Sequence, residues 1–158
     1  MNPSAQALAY AQDVDAGRCI AGRYTKLACR RFLDDLKRQS RDDFPYRFDN
    51  DKADEAVNFQ QMLPHTKGQW AAEGKALVYE PWQCFIESNL FGWLRKDDDR
   101  RRFRESYEEV ARKNGKSIRL AARGLYMLCA DGEYGAEVYS GAGSERQAWE
   151  VFRPARQM

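Results

Sequence analysis

From residue 106 onward the chain alternates short extended runs with amphipathic helical ones. That alternation restricts the fold more than any other feature of the sequence. Ser106–Val110 reads as a strand and Gly115–Ala130 as a helix; after a turn at Asp131-Gly132, Ala136–Ser140 reads as a second strand and Ser144–Phe152 as a further helix. Strand and helix in strict alternation are the signature of a parallel α/β sheet. Two parallel strands cannot bury both faces of such a sheet. The back half is therefore expected to be the opening of a P-loop-type parallel sheet, incomplete within these 158 residues.

The front half has a different rhythm. Asn2-Pro3-Ser4 is a helix start, because proline is tolerated in a first turn. Gly17 and Gly22 punctuate the segment, after which Tyr24, Leu27, Ala28, Arg31, Phe32 and Leu36 recur at helical spacing. Residues 39–51 are polar and turn-rich, and Pro45 holds Phe44 away from helix. Ala53, Ala56, Val57, Phe59 and Leu63 line one face of a third helix that Pro64 ends. Residues 65–74 read as loop, Ala76–Tyr79 as strand or extended approach, and Pro81 as the start of a helix through Trp82, Phe85, Ile86, Leu90 and Trp93. The fold class expected is α/β, a helical N-terminal half leading into that sheet.

Composition narrows the class without choosing a function. Apolar residues at 43% and charged residues at 32% suit a globular chain with a modest core. A net charge of +2 gives no global pull toward nucleic acid or membrane. No apolar run approaches the roughly 20 residues of a membrane span. Four cysteines without close spacing and a single histidine, His65, do not make a zinc site. No basic segment followed by an apolar core opens the chain, so reduced thiols in a cytosolic protein are expected.

The segment richest in chemistry is Val110-Ala111-Arg112-Lys113-Asn114-Gly115-Lys116-Ser117, between an expected strand and an expected helix. A phosphate-binding loop needs backbone N–H groups at a helix N-terminus, a lysine for the β- and γ-phosphates and a hydroxyl for magnesium. Gly115 permits close backbone approach, Lys116 is the matching lysine and Ser117 the matching hydroxyl. The strict pattern places glycine where this chain has Val110. On these residues alone a nucleotide site stands beside a plainer alternative, a helix that simply starts with Asn114 as its N-cap.

The stretch SYEEVARKNGKS resembles the variant phosphate loop of the large subunit of phage terminases, in which an arginine stands early and the first glycine is absent; Arg112 matches that arginine. The resemblance continues, in order, through FPYRFD at 44–49, LPHTKGQW at 63–70, EPWQCFI at 80–86, LFGWLRKDD at 90–98, LYMLCADGEYGAEVYS at 125–140 and RQA at 146–148. It covers about residues 10–158.

The resemblance implies a two-part enzyme, an ATPase that drives DNA into capsids followed by a nuclease. It implies residues 1–75 as an N-terminal helical region and 76–158 as a partial P-loop core, with the nuclease domain absent. ATP and magnesium are the implied cofactors. Arg112, Lys113, Asn114, Gly115, Lys116 and Ser117 would contact ATP, with Ser117 ligating magnesium. Gln83 matches the glutamine that reads the adenine edge, as an amide can donate and accept at once; taken alone it reads as an exposed helix-start residue. Trp82 reads as core rather than a stacking platform, and His65 as a loop-fixing residue. Implied partners are double-stranded DNA, the terminase small subunit and the capsid portal, in a homo-oligomeric motor without membrane contact in the bacterial cytoplasm; the fragment alone is expected as a monomer.

Several residues depart from the family pattern. No Walker B strand or nuclease segment follows, so the chain alone is expected to bind nucleotide weakly or not at all and not to hydrolyse it. Glu108 and Glu109 stand in the expected buried strand, where an unpaired carboxylate costs several kcal/mol. Ala111 replaces a usual proline, Ile118 a usual threonine, and Arg119 and Arg123 charge the loop helix. The competing functions are a non-enzymatic interaction module or an inert prophage remnant. DNA binding through Arg95–Arg104 is weaker, because Asp97, Asp98 and Asp99 interrupt the basic run and make it read as a solvated turn.

Overall fold

All 158 residues are described by the computed structural model, which contains seven helices and one two-stranded sheet. In chain order these are α1 (Pro3–Asp15), α2 (Arg23–Arg38), β1 (Tyr46–Phe48), α3 (Asn50–Met62), α4 (Gly68–Ala72), α5 (Pro81–Gly92), β2 (Trp93–Arg95), α6 (Lys116–Cys129) and α7 (Glu145–Gln157). They condense into two compact units. Residues 1–57 and 79–106 make the first, and residues 58–78 and 107–158 the second.

The first unit is built around aromatic rings. Proline in the first turn starts α1, whose Ala7, Ala11 and Val14 are buried at three- and four-residue spacing. This helix packs on α2 and α5 and is tied to α3 by the Ser4 N–H, which donates to Asp54 Oδ1 at 2.7 Å. β1 and β2 pair antiparallel, with Tyr46 opposite Arg95 and Phe48 opposite Trp93. That pairing brings Trp93 among Phe32, Phe44 and Phe48, with ring centroids 6.1, 6.2 and 5.3 Å away in edge-to-face arrangements. Gly92 lies so close to Phe48 that an added Cβ would come within 2.6 Å of the ring.

Residues 95–100 form an exposed, charged turn, as expected of a solvated run, and only residues 101–103 are half-buried. Arg95 pairs with Asp97 at 2.5 Å, Arg100 with Asp98 at 3.6 Å, and Asp99 with Arg47 at 2.8 Å. Arg102 turns inward, bonds Asp35 at 2.7 Å and lies against the rings of Phe44, Tyr46, Trp93 and Phe103. Asp97 and Asp98 are thus partners of the run's own arginines and Asp99 of Arg47, which lowers the positive field available to a phosphate backbone.

In the second unit, residues 63–77 close on themselves. Pro64 bridges Ala76, the His65 N–H donates to the Lys75 carbonyl at 2.9 Å, and the His65 and Trp70 rings meet edge-on at 4.8 Å. The turn helix α4 lies inside this segment, where the sequence reads as loop. α6 packs on α7 and presents Tyr126 to Phe59, ring centroids 5.6 Å apart. Ser144 caps α7 by accepting from the Gln147 N–H, and the helix runs through the buried Pro154 beyond its expected end at Phe152.

The expected parallel sheet is not formed. Residues 106–110 and 136–140 belong to no ladder, and the only sheet is the antiparallel β1–β2 pair in the first unit. A parallel strand is buried on both faces. Here Tyr107 and Tyr139 are 89% and 84% exposed, and Glu108 turns toward arginines instead of a sheet partner. Without a neighbour to satisfy their N–H and C=O groups, both segments stay irregular.

Replacing Trp93 by alanine should destabilise the first unit by about 3–5 kcal/mol, the usual cost of emptying a buried aromatic site. Denaturant unfolding followed by near-UV circular dichroism checks this; a loss below about 1 kcal/mol would show that the ring cluster is not its core.

Candidate functional site

The site is the junction between residue 110 and α6. Gly115 is the helix N-cap, with φ +70° and ψ +13°. Lys113 also has a positive φ, +69°, while Arg112 and Asn114 do not. Alternating signs of φ turn successive N–H groups toward one side and make a concavity that suits an anion. A left-handed conformation is natural for Gly115 and costs energy at Lys113.

Behind this loop the first turn of α6 is open. Glycine offers no side-chain acceptor and the turn contains no acidic residue. Its leading N–H groups and the positive end of the helix dipole are therefore available to an external acceptor. The N-cap position is held by Gly115 rather than Asn114, whose Nδ2 donates backward to the carbonyls of Ala111 and Arg112 at 3.2 and 3.3 Å. The plainer reading of Asn114 as N-cap is thereby corrected. Arg112, Lys113 and Lys116 are exposed and none of them is in an ion pair, in contrast with the neutralised run at 95–102. Ser117 is half-buried on the first turn. Backbone donors, three uncompensated cations and a hydroxyl are a donor set that fits a polyphosphate with its magnesium.

Glu108 secures the loop's entry. Its Oε1 takes Arg123 Nη2 at 2.6 Å and its Oε2 takes Arg119 Nη2. The Arg119 side chain is 1% exposed and that of Glu108 10%. Burial pushes the Glu108 carboxyl upward, but the Arg119 hydrogen bond and the Arg123 and Arg119 charges outweigh it and hold the carboxyl below its ordinary 4.5. The three charges that look costly one by one in the sequence thus pair with one another. Arginines four residues apart share a helix face, but nothing local marks Glu108 as their common partner, so the pairing was not legible in the sequence. Glu109 remains exposed.

Gln83 belongs to the first unit and the loop residues to the second. It is buried at the start of α5, where its Oε1 accepts the Glu80 N–H at 2.9 Å while the Glu80 side chain accepts from the Gln83 N–H. This reciprocal capping box gives Gln83 a structural task. Trp82 beside it is half-buried.

Comparison with known families bears on this arrangement. The family model described as terminase large subunit, ATPase domain, matches residues 81–158. Over that stretch the chain is similar to the terminase large subunit family. The matched residues hold α5, the loop, α6 and α7. No curated protein and no solved structure matches the chain. No helix in this chain is long and apolar enough to cross a membrane.

Acid should weaken the loop's anchor. Because the folded Glu108 carboxyl titrates below its unfolded value, the stability it contributes is complete above about 4.5 and is lost as pH falls through the lower folded value. Unfolding measured between pH 7 and pH 3 should show a larger loss for the native chain than for Glu108→Gln. Equal losses would mean that the pair contributes nothing to the acid limb.

Proposed function

We propose that this chain provides the phosphate-binding loop of a terminase large subunit ATPase and holds the triphosphate of ATP at residues 112–117. The observation that carries this reading is the loop itself: φ alternates in sign through Lys113 and Gly115, ahead of a helix N-terminus without a side-chain cap. Three unpaired cations, Arg112, Lys113 and Lys116, surround it. The family match makes nucleotide use the natural purpose of such a cradle.

Each residue has a definite task. The N–H groups of the loop and of the first turn of α6 bind phosphate oxygens, with the helix dipole favouring their charge. Lys116 reaches the β- and γ-phosphates and Arg112 balances charge at the loop's entry. Ser117 offers its hydroxyl to magnesium, which when bound neutralises phosphate charge and orients the γ-phosphoryl group.

In the working motor, residues 106–110 and 136–140 would pair as neighbouring parallel strands, with α6 and α7 as the helices that follow them. ATP use would then serve DNA packaging, with double-stranded DNA, the small subunit and the capsid portal as partners. In this chain binding is expected to be weak, because the extended segments that should brace the loop have no ladder.

Thermal unfolding with and without magnesium–ATP tests the assignment. At a hundredfold excess over the dissociation constant, stabilisation should be about 2.7 kcal/mol, roughly 5–10 °C in a chain this size. Lys116→Ala should abolish the shift. No shift in the native chain at millimolar nucleotide would favour the non-enzymatic interaction module.

A further inference from the structure

We infer that Glu108 is a positioning residue for the loop, clamping the entry segment to the first two turns of α6 so that residues 112–117 hold their shape before nucleotide arrives. The inference rests on the reading of that loop as the phosphate site, and assigns the loop's preorganisation to one carboxylate. Glu108 and Arg119 lie 11 residues apart and enclose the whole loop between them. Closing that span at its base removes much of the freedom that the loop would otherwise have to lose on binding.

The geometry suits a clamp better than a casual ion pair. The two carboxylate oxygens are held by different arginines, Oε2 by Arg119 and Oε1 by Arg123. Those arginines are one helical turn apart, so a single planar group grips α6 at two heights and resists both sliding and rotation. All three side chains are largely withdrawn from water, at 1%, 10% and 12% exposure for Arg119, Glu108 and Arg123. Water therefore screens the contact much less than it does a surface pair.

Something must hold this loop, because its conformation is not the one its residues prefer. Lys113 sits at φ +69°, where a side chain is disfavoured. In a complete parallel sheet, flanking strands would fix the entry segment; here residues 106–110 have no ladder, and Glu108 performs that office with charge.

Amide hydrogen exchange on the nucleotide-free chain, paired with magnesium–ATP titration, tests the clamp. Glu108→Gln should speed exchange at residues 112–118 and weaken ATP binding, each by about tenfold, the size of an ordinary coupling between contacting residues. Exchange in α1, α2 and α5 should stay unchanged. Arg123→Gln, which keeps the Arg119 pair, should loosen the same amides less and remains readable if Glu108→Gln does not fold. The double variant should be no worse than Glu108→Gln alone. Unaltered loop exchange, losses that simply add, or equal acceleration throughout the second unit would each overturn the inference. A native chain that binds no ATP, while Glu108→Gln still loosens only the loop, would remove the nucleotide reading and keep the clamp.

Discussion

A carboxylate withdrawn from water must be given cations, and in the second unit that requirement joins Glu108 to Arg119 and Arg123. The consequences spread from there. α6 is anchored at its first turns, and its N-cap, Gly115, offers no side-chain acceptor. Loop, helix start and unpaired cations then form one electropositive cradle. On the proposed reading, these are the donors that a bound phosphate would use.

The first unit solves a similar problem with aromatic rings. Arg102 is drawn in among Phe44, Tyr46, Trp93 and Phe103, with Asp35 as its counter-charge. Flat rings stabilise the guanidinium faces while the carboxylate takes the Nη1 donor at 2.7 Å. Trp93 can serve in that cage because β2 pairs with β1, and Gly92 permits the close approach of Phe48 beside it. A run that reads as surface charge thus sends one member into the core and neutralises others with its own aspartates.

Helices were legible because their signals are local. Proline at the starts of α1 and α5, the spacing of Ala53, Ala56 and Val57 on α3, and Gly115 before Lys116 each act within a turn or two. The antiparallel pairing of residues 46–48 with 93–95 was not legible: its partners lie far apart in sequence, and neither strand has more than three residues. The strands expected at 106–110 and 136–140 failed for the opposite reason. Their local pattern admits a strand, but a strand exists only when a neighbour completes its hydrogen bonds. At the site, the motif residues were readable from chemistry, whereas the pairing that holds them was not. Glu108, Arg119 and Arg123 register in a linear reading as three burdens, and only their convergence turns them into an anchor.

The most direct measurement is a backbone amide chemical-shift map of the chain during titration with magnesium–ADP. Nucleotide bound in the cradle should move the amides of residues 112–118 most, with Gly115 and Lys116 among the largest changes because their N–H groups would donate to phosphate. Saturating shifts confined to those residues and their immediate neighbours would support the loop as the nucleotide site. Saturating shifts elsewhere, with the loop amides unmoved, would contradict it.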